Sequence, residues 1–117
     1  MKKLLVTLLL VVTAANTAHA EIKVLGQGDV MRLDPSSFPP AMTANYEIFR
    51  VKCAQCHTLE RSIVAIQTGV APISNEPFNR NAIRTYGVKM LRNSDMTKAE
   101  VKSSVELLNF LLVEKER

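Results

Sequence analysis

Residues 53 to 57 read Cys-Ala-Gln-Cys-His. Two thiols at this spacing can add to the two vinyl groups of one porphyrin, and the histidine that follows can give its imidazole to the iron. The pattern therefore predicts one covalently attached c-type haem, bound through Cys53 and Cys56, with His57 as the proximal ligand. It also constrains the fold, because a chain this short can bury little apolar surface unless a cofactor fills its core.

The first twenty residues have the organisation of a secretory signal peptide. Lys2 and Lys3 precede the apolar run Leu4 to Val12, and Ala18-His19-Ala20 forms a small-x-small cleavage site before Glu21. The run is too short to span roughly 30 Å of hydrocarbon comfortably, and no cysteine follows the small residues, so no stable membrane anchor is expected. The mature chain is expected in the periplasm, because bacteria attach c-type haem outside the cytoplasmic membrane.

Other uses of a C-x-x-C pair are less compatible with the mature chain. A thioredoxin-type redox centre would need a βαβ context, which the sequence does not indicate. A zinc site needs four ligands, whereas the mature chain offers only three cysteine or histidine residues, two of them adjacent. Haem attachment is therefore the favoured interpretation.

The charge of the mature chain is close to balanced. Removal of Lys2 and Lys3 leaves 13 basic groups against 11 acidic ones, and the two haem propionates would roughly cancel the difference. Such a chain has no evident attraction for nucleic acid. The expected partners are redox proteins, and the chain is expected to be a monomer.

The mature chain is one small domain by length, and its composition divides it at residue 44. Residues 21–43 contain glycines, prolines and paired serines, with one short alternating piece, Ile22 to Leu25, that could be an isolated strand. This region is expected to form an extended arm that lies over the domain or acts as a tether. Residues 44–117 are expected to form the helical haem domain.

Two helices are predicted before the last one, the first leading to the C-x-x-C-H motif and the second following it. The first should begin shortly after Pro40, since proline suits the first turn of a helix, and should continue through Val51 to the haem motif. The second should cover about Asn79 to Leu91, with Asn79 or Asn81 as its N-cap.

The last helix has the clearest start signal in the chain. Thr97 and Glu100 form a T-x-x-E capping box, and Met96 can pack on Val101 as a hydrophobic staple. Apolar residues then repeat with helical spacing at Val101, Val105, Leu108 and Leu112. Additional leucines widen the apolar face, so this helix is expected to need cover on two sides, by the first helix and by a haem edge.

The segment from Ile48 to Arg61 resembles the first-helix-and-haem segment of the class I cytochromes c. Phe49 lies four residues before the first cysteine, Lys52 directly precedes it, and Thr58 directly follows the histidine. The resemblance covers roughly seventy residues, 44–114. It implies an all-α class I cytochrome c-like fold, with three to four helices around one covalently bound haem and a last helix that crosses the first. Where the family commonly has a glycine at this crossing, the chain has Asn45.

The resemblance also implies a sixth iron ligand, usually a methionine ahead of the last helix. The mature chain has no histidine besides His57, so ligation by two histidines of one chain is impossible. The candidate thioethers are Met31, Met42, Met90 and Met96, and Met90 is expected to be the ligand. The alternatives are that Met90 is an ordinary core methionine and that the iron is five-coordinate or bound by Lys89.

Other site residues follow from the same resemblance. A proline carbonyl, here that of Pro72, is expected to accept a hydrogen bond from the His57 imidazole, and Tyr86 or Asn93 to contact a propionate or the methionine sulfur. Electron exchange is expected at the exposed haem edge, surrounded by charged side chains. These rim charges are Lys52, Glu60, Arg61, Lys89 and Arg92.

Two functional classes are open at this point. The first is a periplasmic monohaem electron carrier, which transforms no substrate, either free or as a small subunit of a larger respiratory complex. The second is a haem protein with an open distal site, acting as a ligand sensor or a peroxidase. The sequence favours a carrier over an enzyme, because it has neither a distal histidine nor an evident acid–base pair.

Overall fold

The computed structural model describes residues 22–53 and 58–116, which form a mostly helical domain with one two-stranded sheet. The predicted signal peptide, residues 1–20, and the motif residues 54–57 lie outside the described residues. The strands are β1 (Lys23–Leu25) and β2 (Arg32–Asp34), each followed by a short 3-10 turn. The helices are α1 (Pro40–Cys53), α2 (Glu60–Thr68), α3 (Arg80–Asn93) and α4 (Lys98–Lys115). No helix within these described ranges is long and apolar enough to cross a membrane.

The three predicted helices are confirmed, and local sequence signals explain where they start. Pro40 is the first residue of α1, where its missing N–H costs no helical hydrogen bond. The Asn79 side chain caps α3 by accepting a hydrogen bond from the Ala82 N–H at 3.0 Å. Thr97 and Glu100 form the predicted capping box of α4.

Helix α4 lies at the centre of the domain and packs against both α1 and α3. The side chains of Tyr46, Phe49 and Cys53 from α1 are buried, as are four leucines of α4. Two polar contacts show that α1 and α4 run in opposite directions: Asn45 Nδ2 lies 3.4 Å from Glu106 Oε2, and Lys52 Nζ lies 3.2 Å from Glu100 Oε2. Asn45 therefore forms a hydrogen bond across the helix pair at the position where a glycine is common in the resembling family.

Helices α3 and α4 are in close contact at Gly87. A Cβ atom at this residue would lie 2.9 Å from Val105 Cγ2 and 3.6 Å from Val101 Cγ1. The first of these distances is too short for ordinary packing, so the absence of a side chain allows the two helices to approach. Glycine weakens a helix interior, and here the close contact with α4 compensates for it.

Residues 23–38 lie over the domain, as one of the two expectations had it, but they form a paired hairpin and are neither a tether nor an isolated strand. Strands β1 and β2 pair antiparallel, with Val24 opposite Leu33, and the chain then passes through a 3-10 turn to Phe38. Leu33 and Phe38 are buried. The Leu33 N–H donates to Tyr46 Oη at 2.9 Å, and the Phe38 ring packs edge-on against Tyr46 and Phe110. The arm is thus a hairpin that belongs to the core, and the isolated strand is half of a sheet.

Helix α2 was not predicted from the sequence. It begins at Glu60, three residues after the C-x-x-C-H motif ends, buries Ile63, Ala65 and Ile66, and is capped at its end by Gly69, which adopts a left-handed conformation with φ of 74°. An apolar pair three residues apart followed by glycine is a recognisable signal for a helix end. It is a weak signal in a helix of nine residues.

Candidate cofactor site

A mostly apolar cleft of about 580 Å³ opens between α1 and α2 on one side and α3 on the other. Leu108 of α4 lies between these walls and also lines the cleft. The cleft exists because α1 and α3 each pack on α4, whereas no packing of similar extent joins α1 to α3 among the described residues. Its volume is within the usual range for sites that bind a small molecule or cofactor.

The first wall is formed by the end of α1 and by α2. Phe49 and Cys53 are four residues apart on α1, so they lie on the same face of that helix, and both are buried. Ala65 of α2 continues the apolar surface, and Arg61 and Ser62 add polar groups to it. Cys53, the first cysteine of the motif, is the last residue of α1.

The opposite wall is one face of α3. Ala82, Tyr86 and Met90 are spaced four residues apart, which places them in a row along the helix. The Phe78 ring stacks on Tyr86 with ring centroids 6.0 Å apart. The ammonium group of Lys89 lies over the Tyr86 ring, 5.7 Å from its centroid. This wall therefore offers two aromatic rings, one thioether and one cation.

A loop between α2 and α3 closes a third side of the cleft. Its ends are joined by a bridge between Val70 and Pro77, and the Phe78 N–H donates to the Gly69 carbonyl at 2.8 Å. Pro72 and Ile73 line the cleft from this loop. The Ile73 side chain is 69% exposed, although its loop is held in place by backbone hydrogen bonds.

The structure brings together four of the residues that were expected to bind the haem or support its ligands. Cys53 and Met90 line the same cleft, on different walls, and Pro72 and Tyr86 line it too. Cys56 and His57, predicted as the second thioether residue and the proximal ligand, lie outside the described residues. Asn93 ends α3, is exposed, and does not belong to the described lining of the cleft.

The other methionines occupy different places. Met96 is buried in the core beside the start of α4, as expected of a hydrophobic staple. Met31 and Met42 are half-buried against the same core. None of these three belongs to the described lining of the cleft. Met90 is also half-buried against this core, but it differs from the other three because it lines the cleft.

The predicted rim charges are distributed unevenly. Arg61 and Lys89 line the cleft, together with Glu76 of the loop. Lys52 forms an ion pair with Glu100, so its charge is largely compensated. The carboxyl of Glu100 also accepts a hydrogen bond from the Thr97 N–H, and this bond, with the ion pair, lowers the pKa of Glu100 below its usual value.

The described residues fit a haem. The walls are apolar and partly aromatic, the first thiol of the attachment motif lies in one wall, and a thioether lies in another. Apart from Arg61 and Pro72, which were expected at the site from the sequence, the lining residues of α2 and of the loop at positions 71–74 could not be found from the motif, because no spacing relates them to it. Their only sequence signals are the short apolar pair in α2 and the Gly69 that ends this helix.

Searches against protein-family models, curated proteins and solved structures found no match to this sequence.

Proposed function

We propose that this chain is a monohaem c-type cytochrome of the class I type, which carries single electrons between periplasmic redox proteins. One observation carries the proposal: the C-x-x-C-H motif begins at a buried cysteine in the wall of a mostly apolar cleft, and a methionine, Met90, lines another wall. Cys53 and Cys56 would attach the haem, and His57 and Met90 would be its iron ligands. A bound haem supplies one iron that alternates between the ferric and ferrous states.

The chain's own residues have defined tasks in this proposal. Phe49, Phe78 and Leu108 exclude water from the cleft. The thioether of Met90 favours ferrous iron and therefore raises the reduction potential relative to a site with two histidine ligands. No residue has to bind or transform a substrate, so the chain would not be an enzyme.

Covalent attachment is tested first by substituting the two cysteines. The full chain is produced with its signal peptide in a periplasm that attaches c-type haem, and haem that remains on the denatured protein is measured. Cys53→Ala and Cys56→Ala should each greatly reduce the yield of covalent haem protein, whereas Met96→Leu should retain it. Normal yields from both cysteine variants would refute the proposal.

The ligand set is tested by spectroscopy on the purified haem protein. Ferric iron bound by a methionine thioether absorbs weakly at about 695 nm, and this band should be present in the wild-type protein and absent from Met90→Leu. Met96→Leu is the matched control and should keep the band. Rapid binding of carbon monoxide by the ferrous wild-type protein, without this band, would instead indicate an open distal site and a ligand-sensing or peroxidase function.

A further inference from the structure

The turn between α3 and α4 joins the methionine wall of the cleft to the start of α4. Its first residue is Ser94, the C-cap of α3, whose hydroxyl donates a hydrogen bond to the Met90 carbonyl. The same hydroxyl accepts a hydrogen bond from the Met96 N–H at 3.3 Å. One side chain therefore ties the backbone of the cleft-lining Met90 to the backbone of Met96, which is buried in the core.

The same turn continues into a second set of polar contacts that ends beside the haem motif. The Glu100 N–H donates to Thr97 Oγ1 at 3.1 Å, and the Thr97 N–H donates to Glu100 Oε1 at 2.9 Å. The other carboxylate oxygen of Glu100 lies 3.2 Å from Lys52 Nζ. Lys52 directly precedes Cys53. Residues 94–100 thus link the helix that carries Met90 to the end of the helix that carries Cys53.

The position of Met90 depends strongly on this turn. Met90 lies in the last turn of α3, where the final carbonyl groups have no partner within the helix and the helix end tends to open. The close contact of α3 with α4 is at Gly87, one turn earlier. The Ser94 hydroxyl satisfies the Met90 carbonyl directly, so it acts against opening of the turn that presents the thioether.

We infer that Ser94, and to a smaller degree Glu100, are positioning residues that keep the Met90 thioether in place as an iron ligand. This inference rests on the proposed function. Removal of the Ser94 hydroxyl leaves the Met90 carbonyl without this donor, so the last turn of α3 opens more often and the thioether leaves the iron more often. Removal of the Glu100 charge loosens the link to Lys52, which is partly exposed and therefore contributes less.

The test measures how fast the thioether leaves the iron. Purified ferric haem protein is mixed with imidazole at concentrations where the binding rate no longer rises, so that loss of Met90 limits the rate. Ser94→Ala should bind imidazole about fivefold faster than wild type, the factor expected from the loss of one typical hydrogen bond. Glu100→Gln, which keeps the capping box but loses the charge, should bind about twofold faster.

Matched variants separate positioning from general stability. Ser94→Thr keeps the hydroxyl and should restore the wild-type rate, and Ser103→Ala, a half-buried serine of α4 outside the turn, should leave the rate unchanged. A lower reduction potential in Ser94→Ala, measured by redox titration, would support the same conclusion, because weaker thioether ligation favours ferric iron.

The outcomes distinguish the inference from the function on which it rests. Equal imidazole rates in wild type, Ser94→Ala and Ser103→Ala would overturn the inference and leave the proposed cytochrome function intact. An absorption band at about 695 nm that survives in Met90→Leu would also overturn it, because another group would then be the ligand. A wild-type protein without covalent haem would refute the proposed function itself.

Discussion

The two sides of α4 are packed in different ways. On the side of α1, aromatic and aliphatic side chains fill the space between the helices, and Leu107 has no exposed surface. On the side of α3, the helices touch closely at Gly87, but farther from α4 the walls separate and the cleft opens between them. One helix therefore has one face covered by protein and borders, at Leu108, a space that the described residues 22–53 and 58–116 do not fill.

Under the proposed function, this difference separates the part of the core that the chain completes itself from the part that the haem would complete. The α1 side is stabilised by burial of apolar side chains, which contributes to folding in the absence of any ligand. The α3 side presents the half-buried Tyr86 and Met90 to the cleft, and an occupant of the cleft would bury these two side chains further. Folding and cofactor binding are then coupled.

Removal of the haem should have the largest effect on stability, and it should destabilise the α3 side of α4 more than the α1 side. The apoprotein can be made in the cytoplasm without the signal peptide, with both cysteines replaced by alanine. It should lack a cooperative thermal transition at the temperature at which the haem protein unfolds, because so small a domain has little core of its own. Hydrogen exchange should be fastest at the backbone amides of α3 and slower in α1 and α4.

The matched control is haem protein exchanged under the same conditions, in which α3 should be protected as well. Equal protection of α1, α3 and α4 in the apoprotein, together with a cooperative transition, would show that the cleft side does not need the cofactor.

Single substitutions in the packed core and at the cleft should show the same difference between the two sides of α4, with smaller effects on stability. Leu107→Ala removes a fully buried side chain and should lower the free energy of unfolding of the haem protein by about 2–5 kcal/mol. Ile73→Ala, at the cleft loop, removes a side chain that is mostly exposed and should change it by about 0.5 kcal/mol or less. Both values can be measured by denaturant unfolding.

A loss of stability in Ile73→Ala as large as that in Leu107→Ala would contradict the proposed contrast. It would mean that the 71–74 loop contributes to the packed core in spite of its exposure.

The helices were predictable where a local signal specified their ends. Pro40, Asn79 and the Thr97–Glu100 capping box each act within one turn of the chain, so sequence spacing is sufficient to locate them. The N-terminal hairpin was not predictable in this way. Its stability depends on contacts between residues far apart in sequence, such as Leu33 N–H with Tyr46 Oη, and no pattern within residues 22–38 encodes these partners.

The candidate site likewise has one part that local sequence predicts and one part that depends on tertiary packing. The motif at Cys53 predicts chemistry because covalent attachment has a fixed spacing, and Met90 was chosen because it precedes the last helix. The cleft that contains both depends on the packing of α1 and α3 on α4. Gly87 shows what the sequence alone does not explain. A glycine within a helix looks unfavourable, and only the structure shows that Val105 of α4 lies too close to leave room for a side chain at this position.

A charge substitution at the cleft should have a smaller effect, and it should appear in the rate of electron transfer and not in the free energy of unfolding. Lys89→Glu and Arg84→Glu make the same change in net charge on α3, but only Lys89 belongs to the described lining of the cleft. With ferricyanide, an anionic oxidant, Lys89→Glu should lower the oxidation rate of the ferrous protein about threefold at low ionic strength. Arg84→Glu should lower it less.

Salt provides the control for this kinetic comparison. The difference between the two variants should disappear as ionic strength is raised, because screening weakens interactions between exposed charges. Equal rates for both variants at every ionic strength would indicate that electrons leave the protein elsewhere than at the cleft.

The smallest expected effect is a pH dependence of protein stability that arises at the Glu100–Lys52 ion pair between α4 and α1. Hydrogen bonding by the Thr97 N–H and the Lys52 ion pair lower the pKa of Glu100 in the folded state. A carboxyl whose pKa is lower in the folded than in the unfolded state stabilises the fold above its unfolded value, about 4.3 for glutamate, and this contribution is lost as the pH falls through the folded pKa. Glu100→Gln should therefore lower the melting temperature of the haem protein at neutral pH but not at a pH well below 4, and the difference should be smaller than that caused by Leu107→Ala. Glu106→Gln controls for the loss of one carboxylate from α4 outside the capping box. An equal difference in melting temperature between Glu100→Gln and wild type at all pH values would show that the Glu100 charge does not stabilise the contact between α4 and α1.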